Sequence, residues 1–180
     1  MRRWVLIVAS VLTLGALSAV AAFRGEQARS ADARWQDIAW PYPRDGWPAG
    51  RAFRCTSCSG DVELDVRPKI GFCNCDTGVA DDDEVDRVAD LDLISERFSP
   101  LAAGKVVRVA DMTGRARAYD LSMTGAPHRI AIGIALSHRC DLLVAVVRGQ
   151  GEAGAIEREA LAFLETRQMH HWMMAALGGR

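Results

Sequence analysis

Lysine is nearly absent from this 180-residue chain: it occurs only at Lys69 and Lys105, and no basic run appears. The formal net charge is −1, from 22 basic and 23 acidic residues. Nucleic-acid binding, which needs a concentrated basic surface, is excluded on that ground. Recognisable catalytic motifs are missing as well. There is no G-x-S-x-G, no H-E-x-x-H, no phosphate-binding glycine loop and no heptad seam. Ser137, His138 and Asp141 are neighbours, but one tight turn cannot arrange them as a relay with an oxyanion hole. Apolar runs long enough for a bilayer are lacking after residue 23. The 49% hydrophobic and 25% charged composition is that of a globular protein and excludes long-range disorder.

What is present begins at the N-terminus. Met1-Arg2-Arg3 precedes an apolar, uncharged stretch from Trp4 to Phe23. One reading is a signal peptide cut after Ala19-Val20-Ala21. The other is a signal anchor, since 20 residues of helix span about 30 Å. Under both, Arg2 and Arg3 stay in the cytoplasm and the remainder is exported, to the periplasm or the outer face of the inner membrane. Residues 1–23 are thus assigned to export, with membrane contact through residues 4–23 if uncleaved. Residues 24–52, rich in Pro and Trp, form a tether with a short helix between Glu26 and Trp40. Rings at Trp35, Trp40 and Trp47 pin that arm to the domain or offer a face to a partner. Residues 53–180 make a single domain, of a size that builds its own core.

Four cysteines fall within twenty-one residues, Cys55, Cys58, Cys73 and Cys75. In an oxidising exterior such a cluster indicates disulfides; in a reducing cytosol it indicates a metal site. The spacing approaches a zinc ribbon, with one knuckle shortened to C-x-C. Zinc or copper is therefore the alternative to a chain with no cofactor. Adjacent strand positions i and i+2 lie roughly 6.5–7 Å apart, at the limit for a disulfide. That disfavours a Cys73–Cys75 bond and favours the cross-pairs Cys55–Cys75 and Cys58–Cys73. Cys140 reads as a buried free thiol.

Alternation at Val62, Leu64, Val66, then Ile70 and Phe72, predicts a hairpin over Asp61–Cys75 that turns at Arg67-Pro68-Lys69. Cys73 and Cys75 then share the face opposite the apolar one. Asp81-Asp82-Asp83-Glu84 opens a helix that runs on to about Ile94, its acids complementing the helix dipole. Calcium is a second use for those acids and Asp76, though no EF-hand loop accompanies them. Two more hairpins follow, Lys105–Ala110 with Arg115–Leu121 and His128–Leu136 with Cys140–Arg148. The runs at Ile130–Leu136 and Leu142–Val147 are nearly continuous in apolar residues, as for strands covered on both faces. A closing helix spans Ile156 to Leu177. The fold expected is α+β: an antiparallel sheet of about six strands, an acidic-start helix and a C-terminal helix, preceded by the N-terminal apolar helix.

Two further groups carry candidate chemistry. Met169, His170, His171 and Met173 offer thioether and imidazole ligands for copper, against the plainer use of methionine as core filling. Arg115, Arg117 and Tyr119 share one strand face and could hold an anion.

The block Ala52-Phe-Arg-Cys-Thr-Ser-Cys58, with Arg67-Pro-Lys-Ile-Gly-Phe-Cys-Asn-Cys-Asp-Thr-Gly-Val-Ala-Asp-Asp-Asp-Glu84 and Gly114-Arg-Ala-Arg-Ala-Tyr119, resembles a signature of small exported bacterial proteins without an assigned activity. The resemblance covers most of residues 44–178. It implies that the cysteine block and the helix start act as one unit, and it brings no substrate. The sequence reading ends on an exported or membrane-anchored envelope protein, non-enzymatic, that binds a partner or stabilises an assembly.

Overall fold

A computed structural model describes residues 33–42, 45–58, 60–72, 74–122 and 129–178. The export segment 1–23, the start of the tether and Cys73 lie outside the described residues. Among the described residues, no helix is long and apolar enough to cross a membrane.

Eight strands form one antiparallel sheet: β1 (Gln36–Ile38), β2 (Arg51–Cys55), β3 (Val62–Lys69), β4 (Phe98–Pro100), β5 (Lys105–Val109), β6 (Met112–Leu121), β7 (Arg129–His138) and β8 (Asp141–Gly149). Their order across the sheet is β1-β2-β3-β8-β7-β6, and β4 and β5 share the outer edge of β6. Among the described residues, the sheet is joined by three helices of two turns or more, α1 (Asp82–Val88), α2 (Ala153–Leu164) and α3 (Arg167–Gly178). The architecture is therefore α+β, with two strands more than the sequence suggested. Three strands were not expected, β1 and the start of β2 in the segment read as a tether and β4 at Phe98–Pro100, while the return strand expected at 70–75 is absent. Of the short helix expected between Glu26 and Trp40, residues 26–32 lie outside the described residues; after a helical pair at 33–34, Gln36–Ile38 pairs with Ala52–Arg54 as a strand.

The two downstream hairpins form as the sequence predicts, each with a tighter turn. Val109 faces Met112 and His138 faces Asp141. The first loop residues, Ala110 and Arg139, take φ of 53° and 57°. The predicted hairpin at 61–75 does not form. Val62–Lys69 is one straight strand, flanked by β2 and β8. Pro68 does not turn the chain, because β2 ends opposite Val66 and a residue lacking an N–H is tolerated where one neighbour is missing.

Alternation along the strands splits the interior into two layers. Val62, Leu64, Val66, Ile132, Ile134, Leu136, Leu143, Ala145 and Val147 face α2 and α3, packing with Ile156, Phe163, Met169 and Met173. Leu142, Val144, Val146, Ala131 and Tyr119 face the other way, toward Val85, Val88 and Leu91. Both layers are closed, so β7 and β8 read as unbroken apolar runs. Gly133 permits the close approach of α1: a Cβ there would lie 2.8 Å from that of Ala89 and 3.1 Å from the Tyr119 ring.

Helix ends depart from the sequence reading for identifiable reasons. The Asp81 carboxylate accepts from Glu84 N at 3.0 Å, and Glu84 Oε2 accepts from Ala80 N at 3.3 Å, a reciprocal cap. The helix stops at Val88, well short of Ile94, as Asp90 adopts φ 55°. A 3-10 turn at Leu91–Leu93 follows. The single closing helix is in fact two. Thr166, buried between α2 and α3, accepts from Met169 N at 3.4 Å and so starts α3 as a cap.

Candidate functional site: an aromatic arm over a buried charge ladder

The odd positions of β3, Glu63, Asp65, Arg67 and Lys69, all point to the α1 side of the sheet. Alternating charges of this kind ordinarily mark a solvated face. Here Asp65, Arg67 and Lys69 are 4%, 2% and 5% exposed. Burial of charge on this scale requires pairing, and the partners come from three different segments. Arg67 makes a two-pronged contact with Asp90, Nε to Oδ2 at 2.7 Å and Nη2 to Oδ1 at 2.8 Å. Its remaining nitrogen, Nη1, reaches Asp45 at 2.7 Å. Lys69 Nζ donates to Asp90 Oδ1 at 2.7 Å and to the Val88 carbonyl at 2.8 Å. The left-handed backbone at Asp90, which ends α1, thus presents the acceptor for two buried cations.

At the other end of the ladder, Arg148 of β8 donates to Glu63 at 2.8 Å and to the Tyr42 hydroxyl at 2.8 Å. Tyr42 in turn donates to Asp65 Oδ2 at 2.9 Å. Asp65 Oδ1 is buried without a hydrogen-bond partner. Desolvation raises the Asp65 pKa above the ordinary value, against the attraction of Arg148. Desolvation, together with the Asp65 charge, also raises Tyr42. Asp45 moves the opposite way: against desolvation, the Arg67 hydrogen bond holds it below the usual carboxylate range.

Trp40, Tyr42 and Trp47 lie over this ladder. Trp40 meets Tyr42 edge-on at 5.2 Å and Trp47 meets Phe72 edge-on at 5.1 Å. The Arg67 guanidinium sits 6.0 Å from the Trp40 ring, and Lys69 Nζ 5.7 Å from that of Trp47. Gly50 makes the approach possible. A Cβ there would fall 2.2 Å from the Val66 carbonyl oxygen and 2.6 Å from the Trp40 ring. The arm leaves an open cleft of about 360 Å³ walled by Trp40, Trp47 and Pro48, with Tyr42, Asp45 and Arg67 in its lining. A cavity of about 10 Å³ adjoins it, bordered by Asp65, Arg67 and Asp90, room for about one water.

Sequence reasoning singled out Trp40 and Trp47 but passed over Tyr42, Asp45, Asp65, Arg67 and Asp90. The available signal was the run of four charged residues at alternate positions 63–69; the sequence reading divides it, with the acids on the outer face of a strand and Arg67 and Lys69 in a hairpin loop.

The residues chosen from the sequence fare differently. Cys55 bonds to Cys58, and Cys75 bonds to Cys140. Neither cross-pair expected from the hairpin register forms, because the hairpin itself is absent, and Cys140 is not a free thiol. The first disulfide lies beside the start of β3 (Cys55 faces Val62), and the second joins the loop after β3 to the β7–β8 turn. Eight residues of strand, about 23 Å, separate those ends. The described cysteines therefore do not converge on one zinc or copper ion. Among the described residues, no three potential ligands group for a metal; in the acidic helix start, Asp81 caps the helix and Asp82 pairs with Arg115.

Met169 and Met173 are fully buried under the sheet, whereas His170 and His171 are exposed. One helical turn puts both sulfurs on the core side and turns both imidazoles outward, so the four do not share a centre. Arg115, Arg117 and Tyr119 do share a strand face, and the anions they hold belong to α1. Arg115 bonds Asp82 at 2.7 Å, Arg117 bonds Asp86 at 2.8 Å, and the Tyr119 hydroxyl donates to Asp86 at 2.5 Å. The arginines clamp the helix to the sheet. Trp35 does pin the N-terminal arm, stacking on Phe163 at 4.8 Å beside the Arg34–Glu159 pair.

The sequence matches no family model and no curated protein. Among solved structures it is similar to a protein of unknown function from Pseudomonas aeruginosa, at 8% identity and TM-score 0.42, over 72% of this chain and 91% of that one. It is similar also to a protein from Bacteroides thetaiotaomicron, at 10% identity and TM-score 0.39, over 74% of this chain. The chain spans 41% of that second protein's length.

Proposed function

We propose that this chain is an exported or membrane-anchored envelope domain, stapled by two disulfides, that binds a partner through the Trp40–Trp47 cleft and catalyses no reaction. The cleft carries the reading. It is an aromatic-walled recess of a size used for recognition, at the lower end of the ~300–1,000 Å³ range of small-molecule sites, with polar groups held at fixed positions beneath it. Its charged groups neutralise one another in pairs, an arrangement suited to holding a shape and poorly suited to moving protons. Export is supported by the apolar N-terminal stretch and by the two disulfides, which persist in oxidising compartments.

The test uses cells that make the full chain. Rapid acid quenching and maleimide labelling without reductant should modify one cysteine of the five, and all five after reduction. A photo-crosslinking residue at position 48 should give a discrete adduct that Trp47→Ala abolishes. Five labelled thiols in freshly quenched cells would refute export. An adduct undiminished by Trp47→Ala would refute the cleft as the binding surface.

A further inference from the structure

The chemistry of the cleft narrows what it can hold, if it is the recognition site argued above. Its walls include the Trp40 and Trp47 indoles, rings that favour a flat and weakly polar surface. The indole N–H groups of Trp40 and Trp47 are donors only, of the kind a ligand oxygen accepts from. The Asp45 carboxylate lines the same cleft with its side chain 27% exposed. It accepts from Arg67 Nη1 at 2.9 Å and from the Trp47 backbone N–H at 3.2 Å, and an anionic carboxylate has lone pairs left to accept one further hydroxyl from the cleft side.

Three ligand chemistries fit aromatic walls, and two meet an objection. A proline-rich peptide would stack and accept from the indoles, but proline carries no N–H and would leave Asp45 without a new donor. An organic cation would suit both the rings and Asp45. However, Arg67 and Lys69 are matched by Asp45 and Asp90, so the cleft carries no net negative charge to draw a cation, and its rings already lie about 6 Å from those two cationic groups. A neutral polyhydroxylated ring meets every demand. Its axial C–H surface lies on an indole face, one hydroxyl accepts from an indole N–H and another donates to Asp45.

We infer that the Trp40–Trp47 cleft is a site for a neutral saccharide, stacked on the indoles and hydrogen-bonded to Asp45. Trp40 and Trp47 supply the platform, Asp45 the hydroxyl acceptor, and Arg67 orients Asp45 from below without touching the sugar.

Saturation-transfer NMR on the oxidised full chain in detergent tests this, with chitotetraose, cellotetraose and maltotetraose as saccharide probes. A decaproline peptide and tetramethylammonium serve as the two competing chemistries. At least one tetrasaccharide should show transfer concentrated on ring C–H protons. Its affinity should fall about tenfold or more in Trp47→Ala and in Asp45→Ala. Trp47→Phe, which keeps a ring in place, should retain most of it, and each variant's thermal unfolding is recorded to show that it is folded. Transfer to decaproline or to tetramethylammonium alone, lost in Trp47→Ala, would overturn the saccharide assignment while leaving the cleft as a binding site. Silence from all three tetrasaccharides would also overturn it. Equal saccharide affinity in folded Trp47→Ala would do the same.

Discussion

The two faces of one sheet are built on opposite principles. Toward α2 and α3, β3 presents Val62, Leu64 and Val66, which join a large apolar cluster with Ile156, Phe163, Met169 and Met173. Toward the arm, the same strand presents Glu63, Asp65, Arg67 and Lys69, and the last three are just as buried. The first face needs only area removed from water, a non-directional requirement that many side chains could meet. The second needs each cation matched to an acceptor at hydrogen-bond distance, which specifies where the arm and α1 must lie. The apolar face accounts for cohesion, and the charged face for the position of Trp40 and Trp47.

That contrast can be broken most forcibly from the apolar side. Phe163 is 2% exposed and touches both Trp35 and Phe53 at 4.8 Å. Phe163→Ala should cost about 4 kcal/mol in urea unfolding, and the variant should keep its cleft, seen as unchanged saccharide affinity. Loss of the cleft along with the stability would mean that the two faces are not separable.

On the charged side, Arg67→Met leaves Asp45 without its partner and Asp90 with Lys69 alone. The expected cost is about 3 kcal/mol, since removing one member of a buried pair strands the other. Arm detachment should accompany it, read as a red-shift of tryptophan emission. An equally stable variant with unshifted emission would show that the ladder does not hold the arm.

The smallest effect concerns Asp65 and depends on pH. Its folded pKa is raised by desolvation, so the folded state binds the proton more tightly than the unfolded chain. Its contribution to stability is fully present below the unfolded value near 3.8 and is lost as pH rises through the folded one. Asp45 and Glu63, whose pKa values are lowered against desolvation by their arginine partners, contribute with the opposite sign and lose stability as pH falls. Asp65→Asn should therefore gain on the wild type as pH increases from about 4 toward 7 in parallel urea titrations. A difference that stays flat or shrinks over that range would refute the burial cost assigned to Asp65.

Much of the sheet was legible in the sequence because local pattern and tertiary role agree there. Lys105–Leu121 and Arg129–Gly149 alternate or run apolar as their coverage requires, and their short turns leave little freedom of register. The capped start of α1 was legible for the same reason. The 61–75 segment was not. Its apolar alternation fits a hairpin and a long central strand equally well, and the neighbours that decide between them, β2 and β8, lie at sequence distances that periodicity does not sense. The disulfide pairing failed with that register. The candidate site was half visible: aromatic residues in a Pro-rich arm stand out by composition, whereas Asp65 and Arg67 look like solvent-facing charges until Tyr42, Asp45 and Asp90 arrive from elsewhere to cover them.

The Cys75–Cys140 bond closes a ring across a sequence separation of 65 residues, and α1, β4, β5, β6 and β7 all lie inside it. For a domain pulled between an anchored N-terminus and a load at its C-terminal end, that ring is inextensible. About 220 Å of contour, at roughly 3.4 Å per residue, is withheld from stretching however far the sheet is peeled apart. A protease cut within the ring likewise opens a loop without releasing a fragment. Mechanical continuity of the chain thus runs through a single sulfur–sulfur bond at one end of the sheet, and more than a third of the sequence hangs from it without bearing load.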